Sequence, residues 1–166
     1  MPPIIWEPSG DETLGVTTVV PGCPPVRVFD YWTIPALLCQ WWPQHAVVEA
    51  RVGGGYTLMW PQMDWRLRGR YTIFSPGHSL AFTWAWDHDQ ADAAPRLVTV
   101  EFAPTTTADD ADDADDADAT EATLGTRLTL THGPYVGTPS DQELRIEHHL
   151  AGWRHFLPAL QRAAGG

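Results

Sequence analysis

Lysine is absent from this chain, and all ten basic residues are arginine. A nucleotide-composition bias in the coding sequence explains that without a functional cause. Against ten arginines stand 21 acids, for a formal net charge of -11. Seven of the acids fall within residues 109–118, which leaves the rest of the chain near -4. Without a basic footprint to neutralise phosphates, nucleic acid is excluded as a partner. Cysteine is scarce: Cys23 and Cys39 are too few for a disulfide framework or a paired-cysteine zinc motif. No apolar run reaches the roughly 18 residues that a membrane-spanning helix needs. The first residues lack a basic start followed by an apolar stretch, so no secretory leader is expected and a cytoplasmic location is the default. There is no Gly-x-Ser-x-Gly and no His-Glu-x-x-His, so neither an activated serine nor a zinc site is expected. No catalytic residue, metal or cofactor is assigned on this basis.

Tryptophan, in contrast, is abundant. Nine in 166 residues require a large core or leave some rings lining a cavity. The length suits one domain. Residues 1–12 are Pro-rich and acidic and read as a loose tail. A first strand is expected over residues 14–20, then two short helices over 26–32 and 35–42, separated and bounded by prolines. The two helices carry Phe29, Trp32, Leu37, Leu38, Trp41 and Trp42, more apolar surface than they can bury on each other. Strands follow over 46–52 and 56–60, joined at Gly53-Gly54-Gly55. That glycine run joins strands and does not lead into a helix, so it reads as a hairpin turn and not a phosphate cradle. Strands are also expected over 65–74, 80–86, 98–102 and 126–132, with Leu67, Gly69, Tyr71 and Ile73 sharing one face. Arg66, Arg68 and Arg70 share the other, as a solvated stripe paired with acids such as Glu101. Between the last two strands, residues 105–122 are low in complexity and read as a solvated, mobile hairpin loop.

Residues 140–164 have clean helical periodicity, with Ile146, Leu150, Trp153, Leu157 and Leu160 on one face. Ser140 and Glu143 fit a capping box, and Pro158 is expected to kink or end the helix locally. Hairpin-linked strands imply an antiparallel sheet, and this helix is expected to cover its apolar face.

Taken in order, the stretches LLCQWWPQ, VGGGYTLMW, LRGRYTIFSPGHSLAFTWAW, VTVEFAP, GTRLTLTHGPY and HLAGWRHFLPAL resemble the family of activators of the Hsp90 ATPase, in the START-like, Bet v 1-like (SRPBCC) superfamily. The resemblance spans about residues 14–164. It implies an α+β helix-grip fold: a curved antiparallel sheet of about seven strands around a long C-terminal helix, with two short helices after the first strand. Residues 13–164 would form that single domain. It also implies a cavity between sheet and helix with its mouth near the short helices. Relatives include lipid and sterol carriers, aromatase/cyclases and co-chaperone domains, and fold alone does not choose among these.

The expected function is therefore binding of a hydrophobic, aromatic small molecule in that cavity. The alternatives are a cyclase or aromatase-type enzyme using the same cavity and a regulator of an Hsp90-type chaperone; a homodimer is left open. Trp42, Tyr56, Trp60, Tyr71, Trp84, Trp86, His149 and Trp153 are the candidate ligand-binding residues. Trp153 is also expected to lock helix to sheet. His148 and His149 should point to different sides of the helix, with His149 and Tyr71 as polar handles or an acid/base pair. His132, in step with Leu128 and Leu130, should point inward at a strand end.

Overall fold

Alternation along the strands divides the chain between a buried and an open face, and a computed structural model shows how these faces assemble. It describes residues 5–7, 12–87, 95–106 and 124–165. The strands are β1 (Ile5–Glu7), β2 (Leu14–Val20), β3 (His45–Val48), β4 (Gly55–Trp60), β5 (Trp65–Ser75), β6 (Ser79–Trp86), β7 (Arg96–Thr106) and β8 (Leu124–Gly133). The helices are α1 (Pro25–Thr33), α2 (Pro35–Leu38) and a long C-terminal helix, α3, in three consecutive segments: Pro139–Glu143, Leu144–Leu150 and Ala151–Gly165.

All pairings are antiparallel, in the order β1-β2-β8-β7-β6-β5-β4-β3. The first long strand thus lies beside the last, and α1 and α2 carry the chain from there to the opposite edge. The expected seven strands are present, and β1 adds an eighth. Part of what reads in sequence as a tail, Ile5–Glu7, pairs with Gly15–Thr17 at the sheet edge. Thr105 and Thr106 belong to β7, whereas the remainder of the acidic segment, residues 107–122, lies outside the described residues.

The inward face is continuous. Leu14, Val16, Leu80, Phe82, Val98, Val100, Leu128 and Leu130 are all buried. Alternation in β5 breaks where Tyr71 faces Phe82 and Ile73 faces Ala81, so that one extra residue, Thr72, is inserted. A one-residue slip exchanges the two faces. Ile73, expected inside with Tyr71, is therefore 44% exposed, and Phe74 turns in to meet Phe29 with ring centroids 5.2 Å apart. On the outer face Arg68 pairs with Asp87 at 2.6 Å, so the acid opposite the arginine stripe is Asp87 where Glu101 was expected.

The surplus aromatic surface of α1 and α2 is buried between sheet and α3. Trp32 contacts Trp41, Trp42, Phe82, Phe102 and Trp153. The Trp41 indole donates to the Tyr31 carbonyl at 2.8 Å, and the Tyr31 hydroxyl donates to the Ala163 carbonyl at 3.1 Å.

The cap of α3 falls two residues before the expected one. Thr138 accepts from the Asp141 amide through its hydroxyl, and Pro139 occupies the first helical position. Pro158 lies within the segment Ala151–Gly165, which runs on past it to the end of the described chain. Residues Leu144–Leu150 form a π turn, with i→i+5 hydrogen bonding. Arg145 and Leu150, five apart, are both buried, while Ile146 is only half-buried. The wide turn also brings the adjacent pair His149 and Leu150 inside together.

Candidate functional site

The sheet and the first half of α3 do not meet fully. Between them lies a cavity of about 440 Å³ at the end of the sheet where β4 turns into β5 and α3 makes its π turn. Trp60 closes β4, and Trp65 opens β5 directly opposite it in the ladder. Trp84 and Trp86 project from β6, Trp42 from the segment after α2, and His149, Gly152, Trp153 and Phe156 from α3. Met63 and Trp65 are 48% and 43% exposed and, with the exposed His148, form the rim. The mouth therefore lies beside the β4–β5 turn, away from the position near the short helices that the resemblance implies.

The wall is a connected set of rings. Trp42 stacks on Trp84 at 5.9 Å and tilts against Trp153 at 5.2 Å; Trp60 meets Trp86 at 5.5 Å. The Trp60 indole donates to the Trp42 carbonyl at 3.1 Å, which fixes the wall where strand meets short helix. Trp153 locks helix to sheet as expected and also borders the cavity.

Behind the wall sits a polar cluster. His132 does point inward from the end of β8, and its ring stacks on His149 at 4.4 Å and 11°. Trp84 covers both, at 4.6 Å and 5.5 Å. The Trp153 indole donates to His132 Nδ1 at 3.2 Å. An indole nitrogen can only donate, so the neutral His132 ring carries its proton on Nε2. The Tyr135 hydroxyl meets His149 Nδ1 at 2.6 Å. Arg96, the first residue of β7, lies over the Tyr135 ring at 4.9 Å and is ion-paired with Asp141 on the first turn of α3. Asp141 also accepts from the Val136 amide at 2.6 Å, tying the β8–α3 connection to the helix.

This environment favours neutral groups. Burial lowers the pKa of His149 to about 3, with the charges of Arg96 and His148 adding to the effect. Burial, then His149, then Arg96, holds His132 well below the ordinary value. Burial raises the Tyr135 phenol, which keeps its proton.

Of the eight candidate residues, the structure brings six to this cavity: Trp42, Trp60, Trp84, Trp86, His149 and Trp153. Tyr56 and Tyr71 are elsewhere. They border a separate void of about 10 Å³ with Trp32, Leu38 and Phe82, room for one water at most. Tyr56 spends its hydroxyl on the Thr83 carbonyl at 2.5 Å, across a β5 position where a Cβ on Gly69 would overlap that carbonyl. The pairing of His149 with Tyr71 is thus not formed, and the phenol beside His149 is that of Tyr135. As expected, His148 faces out while His149 is 7% exposed. Arg96 and Trp65 were missed, though strand parity contained them: Arg96 is in step with Val98 and Val100, and Trp65 with Leu67. Tyr135 lies past the strand end, where periodicity carries no signal. Among the described residues, no group of three or more His, Cys, Asp or Glu side chains is arranged to hold a metal ion. Nor, among them, is any helix long and apolar enough to cross a membrane.

Solved structures share this architecture. A protein from Rhodobacter sphaeroides superposes with a TM-score of 0.70 at 19% identity, over 96% of this chain and 97% of its own. An Hsp90 activator from Plasmodium falciparum gives 0.63 at 21% identity, over 93% and 96%. DynU16, a protein in the dynemicin biosynthetic locus, gives 0.65 at 19% identity, over 92% of this chain and 47% of its own. At such identities the likeness concerns the fold. No curated protein matches the chain. The family model described as "Activator of Hsp90 ATPase homolog 1-like protein" matches residues 22–110, more than half of the chain, and with that match the chain belongs to this family.

Proposed function

We propose that this protein binds an apolar aromatic small molecule in the cavity between its sheet and α3. One observation carries the reading: about 440 Å³ of space walled by six tryptophans, Phe156 and Met63, with few polar side chains at its edge. Pockets for small apolar ligands have this size and make-up. Rings already held by their neighbours lose little side-chain freedom when a ligand stacks on them, so more of the gain from desolvation is retained. Trp42, Trp60, Trp84, Trp86 and Trp153 would supply the stacking faces and His149 a polar contact.

Gly152 gives a direct test. It borders the cavity, and a Cβ there meets nothing within 4 Å. Gly152→Leu should fill the space without strain and raise stability by up to about 1 kcal/mol through helix propensity alone. Titration of tryptophan fluorescence with naphthalene derivatives should show saturable binding to the wild type and none to this variant. Tyr71→Phe should bind as the wild type does, because Tyr71 lies outside the cavity. Equal binding by wild type and Gly152→Leu would place the probes elsewhere and remove the proposal.

A further inference from the structure

The polar cluster at the cavity has an unusual balance of donors and acceptors. Four nitrogens in it are buried without a hydrogen-bond partner among the described residues: Trp84 Nε1, His132 Nε2, His149 Nε2 and Arg96 Nε. Each carries a hydrogen. Indole and guanidinium nitrogens only donate. His132 Nε2 is protonated because its Nδ1 accepts from Trp153. Among the described residues the Tyr135 hydroxyl meets only His149 Nδ1, so its hydrogen is satisfied only by donating there, and in that arrangement a neutral His149 carries its proton on Nε2. An unmet buried donor costs about 1–3 kcal/mol, and such groups are normally satisfied. Three of the four residues, Trp84, His149 and Arg96, line the cavity, with these nitrogens closed off just beneath its surface.

We infer that the donors beneath the inner wall of the cavity open to the ligand on binding, and that the ligand is an aromatic compound bearing a carbonyl oxygen that accepts from one or more of His149, Trp84 and Arg96. This rests on the cavity reading above and adds the ligand's polar chemistry. A neutral acceptor suits the site better than an anion. The charge of Arg96 is already matched by Asp141, and both histidines are neutral, so a carboxylate would lose its hydration without meeting an uncompensated positive charge.

Three naphthalenes of nearly equal shape separate the outcomes: 2-acetonaphthone, its hydrocarbon isostere 2-isopropenylnaphthalene, and 2-naphthoate. Calorimetric or fluorescence titration of the wild type should show the ketone binding about tenfold or more tighter than the hydrocarbon, and tighter than the carboxylate. In Trp84→Phe and His149→Phe the ratio of ketone to hydrocarbon affinity should fall most of the way to one, whatever stacking each change costs both probes alike. The Trp84→Phe change removes an N–H and keeps a ring, so it guards against a His149 variant that fails to fold. Equal affinity for ketone and hydrocarbon overturns the donor subsite and leaves the cavity reading standing. Tighter binding of the carboxylate overturns the neutral-acceptor assignment. Binding of none of the three overturns the cavity reading, and this inference with it.

Discussion

At the scale of single residues, His132 and His149 connect the site to stability. Both are buried against each other and against Trp84, and both have pKa values below the ordinary one. An unfolded histidine takes up a proton near pH 6.5, whereas folded His149 does so only near 3. Between those values the unfolded chain binds more protons, so stability is complete above about pH 6.5 and is lost as pH falls. Each such histidine contributes a slope of up to about 1.4 kcal/mol per pH unit in that window. Urea denaturation from pH 7.5 down to 5 should show this fall. His149→Gln, which can still accept from Tyr135, should flatten it by roughly half. An unchanged slope in the variant would mean that His149 is not buried in its neutral form. The inward aim of His132 follows from strand parity, and that of His149 from its place one turn before Trp153. Their union with Tyr135 and Arg96 depends on β7, β8 and α3 meeting in space, which no local pattern encodes.

At the scale of elements, two departures from regular geometry shape the site, and both were hidden from a periodicity reading. The bulge at Thr72 turns Phe74 inward, and the π turn brings Arg145, His149 and Leu150 to one side of α3. A fixed period of 2 or 3.6 places residues correctly only until an extra residue is inserted. Hence Trp153, Leu157 and Leu160, beyond the π turn, are buried as the pattern requires, while Ile146 within it is only half-buried. The helix start shows the same limit. Ser140 satisfies the capping-box spacing, yet Thr138 makes the cap, because Pro139 provides a preset first helical residue. Thr138→Ala should therefore destabilise the protein by about 1 kcal/mol, and Ser140→Ala by no more than a few tenths. Urea midpoints for the two variants decide between the caps, and the reverse order would restore Ser140.

At the scale of the whole molecule, the site lies at one end of the β7–β8 hairpin, and Thr106 and Leu124 pair at the other. Arg96 begins β7 at the cavity, and the β7–β8 ladder runs from Leu97↔Gly133 to Thr106↔Leu124 before the chain enters residues 107–123. At about 3.3 Å per residue, β7 separates the two ends by roughly 30 Å. That is several times the screening length of about 8 Å at physiological salt, so a charge at the Thr106 end of β7 acts only weakly on the cavity. Segregation of strands from an acidic, low-complexity run was plain in the sequence; the distance between the Thr106 end of β7 and the site follows only from the sheet topology. A short hairpin turn joining Thr106 to Leu124 in place of residues 107–123 should leave naphthalene affinity unchanged within about twofold. It should also raise stability by about 1 kcal/mol, because closing a shorter loop costs less entropy. Loss of stability in the shortened chain, or a large shift in probe affinity, would show instead that the acidic segment contributes to the folded body or to the cavity.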